Sequence, residues 1–171
     1  MKARHAILCA LSLLAASPAH AEKLLFDPRI GATLDSSDKD MILFDARNPR
    51  YVFDRIALQG SSAQNWTEAL EIIVRTPDKA IKTTGDWLQQ IRDQSTASCT
   101  SQFTAIAQDA TSLTFMRQSD ACAAAPAETA LYRIVAGRKS LFLLNARYKG
   151  AMDAAARERW LTLLATARVT N

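Results

Sequence analysis

Histidine is nearly missing from this 171-residue chain: its two copies are His5 and His20, and both fall in a stretch that reads as a cleaved export signal. A mature chain without imidazole lacks the usual general base, proton shuttle and metal ligand at neutral pH. Serine and cysteine triads of the ordinary kind go with it. Glycine is scarce too, with five residues scattered at 31, 60, 85, 137 and 150, so no phosphate-cradling loop is present. The cysteines are Cys9, Cys99 and Cys122, and two thiols without histidine cannot fill a four-ligand zinc site. Neither a cofactor nor a metal is expected. The remaining catalytic routes are a carboxylate pair acting on glycosides and a Ser-Lys dyad acting on peptides, and spacing along the chain places neither pair at working distance.

The export reading rests on order. Lys2 and Arg4 precede an apolar run over residues 6–16, and Ala19-His20-Ala21 supplies small residues before a cut between Ala21 and Glu22. The run is well short of the roughly 20 residues that cross a bilayer as a helix. Leu8, just before Cys9, is too bulky for lipoprotein cleavage. The expected product is a periplasmic or secreted bacterial protein with no transmembrane anchor. Its organisation reads as a signal peptide over residues 1–21, a lead-in over 22–39 containing Pro28, Gly31 and Ser36-Ser37, and a single domain over 40–171. Lys2 and Arg4 leave with the signal, so Lys plus Arg falls from 21 to 19 against 17 acidic residues. That balance does not suit nucleic acid.

An oxidising compartment favours pairing of Cys99 with Cys122. Residues 102–108 and 112–117 carry β-branched and aromatic side chains around Asp109-Ala110-Thr111 and read as a hairpin. A two-residue loop at Ala110-Thr111 sets Cys99 opposite Cys122, within the reach of a disulfide. A change of one residue in register would shift that pairing. The bond reads as structural, because a redox pair would be a close Cys-x-x-Cys.

Elsewhere, residues 41–46 and 51–58 read as strands parted by Asn48-Pro49. Residues 66–75 alternate in part, with Trp66, Leu70, Ile72 and Val74 inward and Glu71 and Arg75 outward. Thr76-Pro77 offers a helix start, Trp87, Leu88 and Ile91 have helical spacing, and Gly85 is placed to kink or divide that helix. Residues 131–135 and 140–148 form the clearest hairpin, apolar on both faces and so central. Residues 153–168 put Trp160, Leu161, Leu164 and Ala167 on one helical stripe. Successive strands with one interruption and a closing helix predict an α+β fold, an antiparallel sheet of about six to seven strands against two helices, with one disulfide.

Asn65-Trp66-Thr67-Glu68 opening a strand, the Cys99 and Cys122 pair, the hairpin from Ala130-Leu131-Tyr132-Arg133 through Gly137-Arg138-Lys139-Ser140-Leu141-Phe142, and a final helix with Trp160 together resemble a family of small secreted bacterial proteins. Their order is similar to the PsbP-like fold of envelope proteins of the DcrB type. The resemblance spans about residues 40–168 and implies a binding or assembly module; no catalytic motif carries over.

The leading functional reading is a soluble, non-catalytic periplasmic accessory protein acting through contacts with another envelope protein. Its candidate contact surface is the late basic group Arg133, Arg138, Lys139, Arg147 and Lys149; a solvated strand face is the plainer account of the same residues. Trp66 is either a core residue or a binding aromatic. Glu68, sharing its parity, needs a partner such as Arg133 or Arg147 if it points inward. The alternatives are a small-ligand carrier, which needs a pocket of several hundred cubic ångströms between sheet and helices, and a histidine-independent hydrolase.

Overall fold

The computed structural model describes residues 22–27, 66–123 and 125–170, with the backbone of three strands within residues 34–58. The expected signal, residues 1–21, and the Asn48-Pro49 turn lie outside the described residues. In chain order the elements are β1 (Lys23–Leu25), β2 (Leu34–Lys39), β3 (Leu43–Phe44), β4 (Tyr51–Leu58), β5 (Glu68–Arg75), α1 (Thr84–Ser98), β6 (Ser101–Gln108), β7 (Ser112–Ser119), β8 (Glu128–Ala136), β9 (Leu141–Lys149), α2 (Ala154–Ala165) and β10 (Arg168–Thr170). Among the described residues no helix is long and apolar enough to cross a membrane.

The fold is α+β. Eight strands make one antiparallel sheet in the order β2-β4-β5-β9-β8-β7-β6, with β3 also paired to β4; β1 and β10 form a separate two-stranded ribbon. The apolar hairpin β8–β9 is central, as its two-sided hydrophobicity requires. One helix covers each face. Trp87 of α1 packs with Ile73, Phe115, Tyr132, Ile134 and Leu143, whereas Trp160, Leu163 and Leu164 of α2 pack with Leu70, Leu131, Val135 and Leu144. Successive residues of a strand alternate between these faces.

The β8–β9 turn is tied to the start of the described chain. The Gly137 N–H donates to the Ser140 carbonyl at 2.8 Å, and the carboxylate of Glu22 accepts from the backbone N–H groups of Arg138 and Lys139. A Cβ on residue 137 would lie 2.6 Å from Glu22 Oε2, so a side chain there would push the Glu22 carboxylate off the turn. Within the stretch read as a lead-in, β1 pairs with β10, and Leu24 and Phe26 pack on the α2 cluster.

Three local readings are corrected. The helix starts not at Thr76-Pro77 but at Thr83, whose hydroxyl accepts from the Asp86 N–H while Asp86 accepts from the Thr83 N–H. This reciprocal cap satisfies donors that the earlier site would leave open. Residues 76–82 instead form a turn in which Asp78 accepts from Ala80 and Ile81 and Ile81 is buried. Gly85 sits in the first turn of an uninterrupted helix and divides nothing. Glu71 and Arg75 do not face solvent: they are 4% and 7% exposed, because α1 covers the face they occupy.

The Cys99–Cys122 disulfide forms, with Cα atoms 5.8 Å apart, although the register differs from the simple count. The loop is the expected Ala110-Thr111, closed by the Asp109 N–H on the Ser112 carbonyl, and Gln108 pairs with Leu113. A bulge between Ala105 and Ala107 then shifts the pairing, so that Ser101 faces Ser119. The cysteines meet just beyond the strand ends, where Cys122 makes a bridge with Ala125.

Candidate functional site

The site is a cleft between α1 and the sheet. Trp87 is the one fully buried residue of α1, with Leu88 and Ile91 partly buried against the same core. The residues that follow Trp87 toward the sheet are Gln90, Ile91, Gln94 and Ser95, and they line a cavity of about 430 Å³ with Ile73, Arg75, Tyr132, Leu143 and Asn145. A second cavity, of about 240 Å³, adjoins it at Ser95 and is lined by Trp66, Ser98, Arg117, Ser119, Glu128, Arg147 and Lys149, among others. Sheet pairing explains this assembly. On the α1 face of β9, Leu141 and Leu143 are followed by Asn145, Arg147 and Lys149, so the strand grades from apolar to amide to cation along its length.

Cross-strand neighbours fix each polar group. Glu71 and Tyr132 flank Asn145. Ala130 sits between Arg147 and Arg117, and its small side chain leaves room for Glu128 to bond both guanidiniums. Arg147 also donates to Glu71 Oε1 at 2.9 Å, and the Asn145 amide nitrogen donates to Glu71 Oε2 at 3.1 Å. A carboxylate can only accept here, which sets the amide's orientation. Asn145, 6% exposed, is left with an Oδ1 that has no hydrogen-bond partner. At the other end of the larger cavity Arg75 donates to Gln90 and Asp78, and its Nε is likewise unpartnered.

Burial opposes the charge on Arg147, but the carboxylates of Glu71 and Glu128 outweigh it and hold the guanidinium more firmly protonated than usual. Burial pushes the Tyr132 hydroxyl up to about 12, so it stays a neutral donor. Its ring stacks on Phe115 with centroids 4.6 Å apart. At the mouth of the smaller cavity the Trp66 ring lies 5.0 Å from the Arg147 guanidinium and 4.6 Å from Lys149 Nζ, close enough for cation–π attraction. Among the described residues Lys149 makes no salt bridge.

The structure brings together Trp66, Arg147 and Lys149 from the sequence-predicted residues and separates the others. Arg133 lies opposite Leu144 in the pairing, on the α2 face, and donates to Thr114 Oγ1 at 3.1 Å. Arg138 and Lys139 occupy the β8–β9 turn. The five cations therefore do not share one surface. Trp66 and Glu68 also part company, because Trp66 precedes the strand and escapes its alternation. Glu68 accepts from Arg159 at 2.6 Å and from Trp160 Nε1 at 2.9 Å, so its partners come from α2 and not from Arg133 or Arg147. Sequence reasoning missed Glu71, Glu128, Asn145, Arg117 and the Gln90-Gln94-Ser95 row. For the strand residues the signal was a polar side chain at inward parity in an otherwise apolar strand, which becomes legible once both faces are known to be covered; the row on α1 carried none.

No family model and no curated protein matches the chain. Among solved structures it is similar to the solution structure of cyanobacterial PsbP (CyanoP) from Synechocystis sp. PCC 6803, at 12% sequence identity and a TM-score of 0.42 over 92% of this chain and 99% of that one.

Proposed function

We propose that the protein is a non-catalytic binding protein of the bacterial envelope that holds a small ligand in the cleft beneath α1. The observation that carries this reading is the larger cavity. Its volume, about 430 Å³, falls within the range of small-molecule sites, roughly 300–1,000 Å³. Two of its lining residues, Asn145 and Arg75, each carry a buried polar atom without a hydrogen-bond partner, and such groups are costly unless something satisfies them. A contact module would instead present an apolar or basic patch. Among the described residues Leu25 is the one large apolar side chain that is well exposed, at 41%, and the cations are divided between faces.

Catalysis has little support at this site. Glu71 and Glu128 are the carboxylates nearest the cleft, and each is bonded to a guanidinium rather than poised as an acid beside a free base. Export is supported by the order of residues 1–21 and by the disulfide, which suits an oxidising compartment. Two measurements test the reading. Sequencing the N-terminus of protein recovered from a bacterial periplasm is expected to find Glu22 first. Two-dimensional NMR of that protein with a library of small polar compounds is expected to show shifts clustered at residues 90–95 and 143–149; shifts confined to the α2 face, or none with any compound, would refute the cleft.

A further inference from the structure

We infer that the cleft's ligand is an acidic saccharide, with an uncharged hydroxyl- and amide-bearing body in the larger cavity and a carboxylate or phosphate at Lys149. This rests on the cleft being the binding site. The larger cavity is lined by neutral groups that both donate and accept, namely Gln90, Gln94, Ser95, the Asn145 amide and the Tyr132 hydroxyl. The one charged side chain among its lining residues, Arg75, is balanced by Asp78. An apolar ligand would strand these groups and a strongly charged one would find no net countercharge, whereas sugar hydroxyls match them group for group. Trp87, Ile73 and Leu143 add apolar surface for the carbon faces of a ring.

The smaller cavity differs in sign. Arg117, Arg147 and Lys149 meet two carboxylates, Glu71 and Glu128, and both carboxylates are taken by the arginines. Lys149 is left over, held at 4.6 Å from the Trp66 ring, in a cavity that Ser98 and Ser119 also line. An anion placed there would gain a charge-assisted hydrogen bond without displacing an existing pair. Asn145 and Lys149 lie four residues apart on one strand face, a span of roughly 13 Å at strand rise. That suits a molecule about two sugar rings long, and the two cavities share Ser95, so one ligand can occupy both.

The test uses isothermal titration of the mature protein with two probes: the disaccharide of glucuronic acid and N-acetylglucosamine, and uncharged N,N′-diacetylchitobiose. The acidic disaccharide is expected to bind more tightly. Lys149→Gln, at an exposed position, is expected to weaken it roughly tenfold, to leave the neutral probe alone and to unfold at a urea midpoint close to that of the parent protein, while Gln94→Ala is expected to weaken both. Equal binding of the two probes with no effect of Lys149→Gln would overturn the acidic assignment and leave the cleft standing. Failure of both probes, with another library compound still shifting residues 90–95 and 143–149, would overturn the saccharide assignment. A cleft that no compound perturbs would remove the function proposal as well.

Discussion

Arg147 holds two carboxylates that have almost no access to water: Glu71 and Glu128 have side chains only 5% and 10% exposed. Replacing it with alanine removes the cation that the two share, leaving Arg117 on Glu128 and the Asn145 amide on Glu71, and breaking a buried ion pair is more expensive than losing a packing contact. Arg147→Ala is therefore expected to cost about 3 kcal/mol, the low end for broken buried pairs because the arginine is itself 27% exposed. Urea unfolding checks this. Adding Glu71→Gln and Glu128→Gln to the same chain should recover part of the loss, and no recovery would mean that packing against Trp66 was the larger effect. On the opposite face, Glu68→Ala removes the acceptor of Trp160 Nε1. Trp160 is 1% exposed, so its N–H has no water to turn to and the expected loss is roughly 1–3 kcal/mol. A Trp160→Phe background should reduce that loss, since no donor is then stranded.

Among the elements, α1 is the one whose position depends on its ends. It has a reciprocal cap at Thr83 and Asp86, a single buried side chain, and a disulfide that joins Cys99 at its C-terminus to Cys122 across 23 positions. Closing a loop of that length contributes about 3 kcal/mol on the chain-entropy model. Paired Cys99→Ala and Cys122→Ala substitutions are expected to lower stability by that amount and to raise amide exchange most at residues 94–99, where polar side chains leave α1 little else to hold it. Uniform exchange along the helix would contradict the tether. The same helix shows where sequence reasoning stops. Strands with strong apolar runs, β8 and β9, were legible because both faces carry the signal. The Ala110-Thr111 loop was legible too, yet the bulge near Ile106 was not, since an isoleucine suits a regular strand as well as a bulged one. The cleft was hidden for a different reason. A Gln-Ile-x-x-Gln-Ser stretch reads as an ordinary solvated helix face, and only the tertiary placement of α1 over Asn145 and Tyr132 turns those amides inward. Arg147 and Lys149 were visible as cations, but the parity that separates them from Arg133 depends on which face each helix covers.

Taken as a whole molecule, the mature chain expected here has no side chain with an ordinary pKa between about 5 and 8, because histidine is absent from it. Its pH response is set instead by aspartates at the element junctions. The Asp78 carboxyl is held below its ordinary value by the N–H groups of Ile81 and Ala80, with Arg75 adding to them. Asp86 is lowered by the N–H groups of Lys82 and Thr83 and by the Thr83 hydroxyl, and Asp109 by the Ser112 hydroxyl and by the N–H and hydroxyl of Thr111. In each case the folded pKa lies below the unfolded one, near 3.9. Above that value both states are ionised and the stabilisation is fully present. As pH falls below it, the unfolded chain takes up protons first, and stability is lost down through the folded pKa values. The urea midpoint is thus expected to stay level from about pH 5.5 to 7 and to drop steeply below about pH 4. Asp86→Asn should start from a lower midpoint and show a shallower acid limb, because one of the three linked protons is gone. A midpoint that instead climbs on acidification between pH 7 and 5 would require a carboxylate stabilised in its protonated form, and would overturn the assignment of the acid response to these three turn aspartates.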